Sequence, residues 1–115
     1  MNEAPTLSIV IGSQNARASI RQCLTALEGK HDGHTPEILV VDNSTDGTAE
    51  IVRADFPQVK LIVAPADALM PELWETGIRQ SAGEIVALTT SHFVPAPDWV
   101  KRSSGAAIIT PPWKL

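Results

Sequence analysis

The chain has 115 residues, of which 43% are apolar and 19% charged, with a formal net charge of −4. That length fits one domain, residues 1–115, able to bury roughly two-thirds of the surface its unfolded chain exposes. Nine Lys and Arg are scattered, and Lys101-Arg102 is the one adjacent pair, so no basic stripe marks a nucleic-acid binder. A small anionic ligand stays open, held by helix N-termini, a few Arg side chains or a metal. No apolar run approaches the roughly 20 residues of a membrane helix. Met1-Asn-Glu-Ala-Pro5 shows no secretory pattern. A single cysteine, Cys23, cannot close an internal disulfide, so a cytoplasmic setting is expected.

In chain order, Leu7 to Ile11 is short, β-branched and bounded by Pro5 and Gly12, which predicts a first strand. Gly12 to Asn15 reads as a loop. Ala16, Ile20, Cys23, Leu24 and Leu27 recur at helical spacing and predict a first helix with one apolar face. Ile38 to Val41 is continuously apolar, as in a parallel strand covered on both faces, and it ends in Asp42. A polar turn from Asn43 to Gly47 leads to a helix over about 48–55, with Ala49, Val52 and Phe56 on one face. Asp46 or Ser44 can cap it, and Pro57 stops it.

Val59 to Val63 predicts a third strand. A third helix starts near Leu69 with Pro71 in its first turn. Its inner stripe is expected to hold Leu69, Met70, Leu73, Trp74, Gly77, Ile78 and Ser81, with Gly77 allowing close approach to the sheet and Gly83 ending the helix. Ile85 to Leu88 is a fourth strand. Asp98 is placed to cap a short helix, and Ala106 to Thr110 reads as a fifth strand. The alternation predicts an α/β fold, a three-layer α/β/α sandwich on a mainly parallel sheet. In such a sheet ligands bind beyond the carboxyl ends of the strands, where Asp42 sits.

Several βαβ chemistries are excluded by their missing residues. Gly12-Ser-Gln-Asn15 lacks the glycines of a dinucleotide fingerprint, and there is neither a P-loop nor a G-x-S-x-G elbow. Gly12-Ser13 and Ala64-Pro65 stand where a receiver domain needs acidic residues. Cys23, His31 and His34 have no zinc-site spacing.

The positive signal is a set of strings. These are Leu7-Ser-Ile-Val-Ile-Gly-Ser-Gln-Asn15, Ile38-Leu-Val-Val-Asp-Asn-Ser-Thr-Asp-Gly-Thr48, Thr76-Gly-Ile-Arg-Gln-Ser-Ala-Gly-Glu-Ile-Val-Ala-Leu88 and Pro97-Asp-Trp-Val100. In that order and at those separations they resemble the nucleotide-binding half of the family 2 glycosyltransferases, which have the GT-A fold, over about residues 6 to 102. The resemblance implies a nucleotide-sugar site, for a UDP- or dTDP-sugar, over the ends of strands 1, 2 and 4. It implies that Asp42 accepts the imide N–H of the base, a role suited to a carboxylate. It places Gly12, Ser13 and Asn15 against the nucleoside. A turn or helix-cap carboxylate is the competing role for Asp42, helix capping is the competing role for Asn15, and a cap or Asx-turn is the expected role of Asp46.

The chain also departs from the family pattern. Members carry Asp-x-Asp after strand 4 to hold Mg²⁺ or Mn²⁺; the aligned residues here are Thr89, Thr90 and Ser91, with His92 the nearby ligand candidate. Trp74-Glu75 replaces the family's Arg-Asn, leaving Trp74 as core or groove lining and Arg79 as an exposed helix charge. No residue matches the catalytic base of the acceptor half, which family members supply in a further hundred or more residues. The expectation is nucleotide-sugar binding with transfer weak, lost or dependent on a partner. The alternative is a non-catalytic dimerisation or partner-binding domain, with Ala106 to Ile109 and Trp113 at the contact.

Overall fold

The computed structural model describes residues 7–27, 36–83, 85–90 and 107–109. The strands are β1 (Leu7–Ser13), β2 (Glu37–Asp42), β3 (Lys60–Val63), β4 (Ile85–Thr90) and β5 (Ala107–Ile109). The helices are α1 (Ile20–Leu27), α2 (Thr48–Asp55) and α3 (Met70–Gln80). The sheet order is β3-β2-β1-β4-β5. β1 to β4 run parallel, and β5 pairs antiparallel with β4.

Strand side chains alternate between faces, so β1, β2 and β4 each serve two cores. Ile9, Ile11, Ile38, Val40 and Ala87 face α1 and α2, where they bury Ile20, Cys23, Leu24, Leu27, Ile51, Val52 and Phe56. Val10, Leu39, Val41 and Val86 face α3, where they bury Leu73 and Ile78. Each fully buried Val, Leu or Ile contributes about 1.5–3 kcal/mol relative to an exposed one. This is the three-layer α/β/α arrangement that the alternation predicts.

The chain leaves β1 toward β2 and β3 on one side and returns through α3 to β4 on the other. The carboxyl ends of β1 and β4 therefore flank the topological switch point, where open α/β sheets hold ligands. The opposite end of the sheet, where β1, β2 and β4 begin, is pinned by a polar clasp. Ser8 Oγ donates to Glu37 Oε1 (2.6 Å), Ala82 N donates to the same oxygen (2.8 Å), and Gly83 N donates to Ser8 Oγ (2.8 Å). A Cβ on Gly83 meets Ser8 N at 2.7 Å, so only glycine fits this turn.

Several expected boundaries shift. β1 continues through Gly12 and Ser13, expected to be loop, because both are in register with β2 and β4. β2 takes in Asp42, paired with Ser13 and Val63, and β4 takes in Thr89 and Thr90. α1 starts at Ile20; Ala16 is buried but lies before the helix, with its carbonyl accepting from Ile20 N. Val59 is buried outside β3. Leu69, expected on the inner stripe of α3, is 66% exposed, because it is the extended N-cap rather than a helical residue. Glu72 Oε1 accepts the Leu69 N–H there (3.0 Å), and Pro71 occupies the first turn. The expected helix at Asp98, together with Ala106 and Trp113, lies outside the described residues.

Candidate functional site

Asp42 ends β2 and Ser13 ends β1, and the two are register partners. By alternation both point to the α1/α2 side, opposite to Val41 and Gly12. Asp42 is 1% exposed and Ser13 fully buried. The Asp42 carboxylate accepts two hydrogen bonds, both from Ser44: its N–H at 3.2 Å on Oδ2 and its hydroxyl at 2.5 Å on Oδ1. A carboxylate has about four acceptor positions, so capacity remains. Ser13 Oγ is buried and has no hydrogen-bond partner among the described residues. A buried hydroxyl without a partner forfeits on the order of 1–3 kcal/mol, so its placement calls for an explanation.

The loops after β1 and β2 are stitched together. Asn15 N donates to Ser44 Oγ (2.6 Å), and Asn15 Oδ1 accepts from Thr45 N (3.0 Å). Ala16 N donates to Thr48 Oγ1 (3.2 Å), Arg17 N to Asp46 Oδ2 (3.1 Å), and the Arg17 guanidinium to the Asp46 carbonyl (3.1 Å). Asn15 holds φ of 49°, in the left-handed region that Asn tolerates better than most residues. The amide thus braces the neighbouring loop and does not cap α1. Asp46 makes the Asx-turn, accepting from Thr48 N, and precedes Gly47, which is also left-handed at φ 92°. The Thr48 hydroxyl, then the N–H groups of Arg17 and Thr48, hold the Asp46 carboxyl below its ordinary value.

A second tie joins β1 and β2 to the segment before α3. Gln14 Nε2 and Asn43 Nδ2 both donate to the Ala68 carbonyl, at 3.2 and 2.8 Å. On the α3 side the switch point is filled from within. Trp74 Nε1 donates to the Thr89 carbonyl (3.0 Å), and a Cβ added at Gly12 meets Met70 Sδ at 2.2 Å and Trp74 Nε1 at 3.2 Å. Gly12 therefore admits the protein's own thioether and indole. Arg79 is an exposed helix charge paired with Glu75 at 3.0 Å.

At the end of β4 the described residues offer two hydroxyls, Thr89 and Thr90, and the Thr89 carbonyl is taken by Trp74. Neutral hydroxyls without a carboxylate do not fit Mg²⁺ or Mn²⁺. Among the described residues no group of three His, Cys, Asp or Glu could hold a metal ion. Ser91 and His92 lie outside the described residues. Ser44 is the site residue whose role sequence reasoning misses; Trp74 packs against the α3-side core and Gly12, as core or groove lining. For Ser44 the available signal is its place two residues after Asp42 in a turn, where a hydroxyl bonds back locally.

A family model for glycosyl transferase family 2 matches residues 8–106. The chain belongs to that family. The glycosyltransferase AglE of Haloferax volcanii is 31% identical over 103 residues, covering 85% of this chain and 34% of that protein. Glucosyl-3-phosphoglycerate synthase of Mycobacterium tuberculosis, solved with Mn²⁺, UDP and glucosyl-3-phosphoglycerate, superposes with a TM-score of 0.70 at 24% identity. That match covers 84% of this chain and 37% of the synthase. The mannosyltransferase PcManGT of Pyrobaculum calidifontis, solved with GDP-Man and Mn²⁺, gives a TM-score of 0.64 at 27% identity, covering 85% and 31%. The family 2 chain thus has the GT-A fold and spans about a third of each of these relatives. No described helix is long and apolar enough to cross a membrane.

Proposed function

We propose that this family 2 chain binds a nucleotide sugar, a UDP- or dTDP-sugar, in a cytoplasmic setting, with transfer weak, lost or dependent on a partner. The observation that carries the reading is the paired end of β1 and β2. A buried carboxylate with unused acceptor capacity lies in register with a buried hydroxyl that has no partner among the described residues. Uracil and thymine present an imide N–H between two carbonyl oxygens, an edge that a carboxylate and a hydroxyl donor complement. Asp42 accepts the N–H and Ser13 donates to a carbonyl. Asp42 is 1% exposed in the free chain, so recognition of a base requires the turn above it to open. Family relatives solved with UDP or GDP-Man support the ligand class.

The diphosphate gains little from β4, whose described end carries hydroxyls in place of carboxylates. Calorimetry with UDP and UDP-sugars, with and without Mn²⁺, tests both points. Binding at micromolar to millimolar concentration that Asp42→Asn abolishes, with affinity little changed by Mn²⁺, is the expected result. No heat at millimolar ligand overturns the binding reading, and strong Mn²⁺ linkage overturns the account of β4.

A further inference from the structure

We infer that Ser44 is a specificity-determining positioning residue, acting through Asp42 and itself fixed by Asn15. The inference rests on the reading of Asp42 as the base-recognition group and deepens it. A serine hydroxyl has one proton and two acceptor lone pairs, and its rotor is ordinarily free to choose. Here the choice is removed. Asn15 N, which can only donate, points at Ser44 Oγ from 2.6 Å, and the carboxylate Oδ1, which can only accept when ionised, lies 2.5 Å away. The Ser44 proton is therefore committed to Asp42. Ser44 N–H engages the other oxygen at 3.2 Å, so one residue grips both carboxylate oxygens and fixes the plane of the group.

Asn15 is in turn held from the far side. Its Oδ1 accepts from Thr45 N at 3.0 Å, and its left-handed backbone aims the N–H at Ser44. The relay runs from the β1 loop through the β2 loop to the carboxylate, with every donor assigned. Its consequence is polarity. Asp42 is presented as an oriented acceptor, which favours a ring nitrogen that carries hydrogen, as in uracil and thymine. It disfavours cytosine, whose corresponding ring nitrogen is itself an acceptor and finds an unshared lone pair facing it. Asn15 thereby acts on the ligand through Ser44 rather than by touching it.

The test is titration of the chain with UDP and CDP by calorimetry, for the unaltered protein and for Ser44→Ala, Ser44→Thr, Asn15→Gly and Asp42→Asn, with thermal melts to establish folding. Ser44→Ala is expected to weaken UDP about tenfold, the size of one lost bond to a charged group, while CDP stays unchanged, so that selectivity falls by about the same factor. Ser44→Thr, which keeps the hydroxyl, restores most of the selectivity. Asn15→Gly keeps the N–H and relieves the left-handed backbone but removes the Thr45 brace, and gives a smaller loss in the same direction. If Ser44→Ala does not fold, Ser44→Cys supplies a weak donor of similar shape and is expected to shift selectivity the same way. Equal weakening of UDP and CDP makes Ser44 merely structural and overturns the inference. Tighter UDP binding by Ser44→Ala makes it a barrier and also overturns it. Absence of UDP binding by the unaltered chain, or UDP binding untouched by Asp42→Asn, overturns the base-recognition reading and the relay together. Binding lost in Asp42→Asn with selectivity undisturbed in Ser44→Ala overturns the relay alone.

Discussion

Replacement of Gly77 by Ala sets two effects of opposite sign against each other. Gly77 lies mid-way along α3, where alanine is favoured by about 1 kcal/mol on helix propensity. The added methyl, however, falls 2.3 Å from Val10 Cγ1 and 3.2 Å from Val41 Cγ2. Val10 is fully buried at the middle of β1, and a β-branched side chain between two packed layers has no alternative rotamer to take up. Helix α3 must therefore lift from the sheet. Overpacking costs about 1–3 kcal/mol, and a 2.3 Å contact with a fully buried side chain belongs to its upper part, about 2–3 kcal/mol, which leaves Gly77→Ala destabilised by about 1–2 kcal/mol after the propensity gain. Val10→Ala removes the two offending methyls and alone costs about 2–3 kcal/mol in lost burial and cavity. In the double variant the new methyl enters the space the old ones leave, so the double loss falls short of the sum by about 1 kcal/mol or more. Urea denaturation of the four proteins, with the slope held common, measures this. Gly77→Ala at or above the stability of the parent, or additivity within about 0.5 kcal/mol, refutes the packing account.

Gly12→Ala makes the nominally closer contact, 2.2 Å to Met70 Sδ, yet is expected to cost under about 1 kcal/mol, since a thioether near the end of a flexible side chain can swing aside. The same urea titration checks it, and a loss as large as that of Gly77→Ala shows that Met70 cannot yield. Cys23 is buried in the α1 core, and burial pushes its thiol up to about 12. The native chain should therefore resist a thiol reagent that labels it at once in urea. Because the unfolded thiol releases its proton near 9 and the folded one holds it, this contribution is complete below pH 9 and lost progressively as pH rises toward 12. Cys23→Ser or Cys23→Ala should flatten that part of the stability profile, and an unchanged alkaline slope contradicts the assignment.

The sheet and its helices were legible because their apolar patterns are long and consistent. Ile38 to Val41 fits a strand covered on both faces, and the α1 stripe placed Ile20, Cys23, Leu24 and Leu27 correctly in one core. Boundaries failed where polar residues carry on a ladder. Ser13, Asp42, Thr89 and Thr90 belong to strands because backbone pairing continues past the apolar run, and side-chain pattern does not report backbone pairing. Leu69 failed for a related reason: periodicity extrapolated inward across a residue whose extended backbone already lies outside the helix. At the candidate site, sequence could mark Asp42 as a carboxylate at a strand end. The partners of Asn15 are 29 and 30 residues away, and only the spatial adjacency of β1 and β2 brings them to it.

That adjacency also makes the two sides of the switch point chemically unlike. On the α3 side Gly12 is overlain by Met70 and Trp74, and the indole N–H takes the carbonyl of Thr89, so the protein fills its own crevice with apolar groups and spends the free acceptor at the end of β4. On the α1/α2 side Asp42 and Ser13 keep hydrogen-bonding capacity, and a polar bracket from Asn15 to Thr48 holds the two loops in one piece. On the proposed reading, the polar pair at the strand ends favours a planar ring recognised by its edge, reached once the turn above it opens. A flexible, multiply charged diphosphate instead needs cations or carboxylate-held metal, and the described end of β4 presents neither. On the proposed reading, discrimination falls to the base and to the loops of the first βαβ unit rather than to the described end of β4.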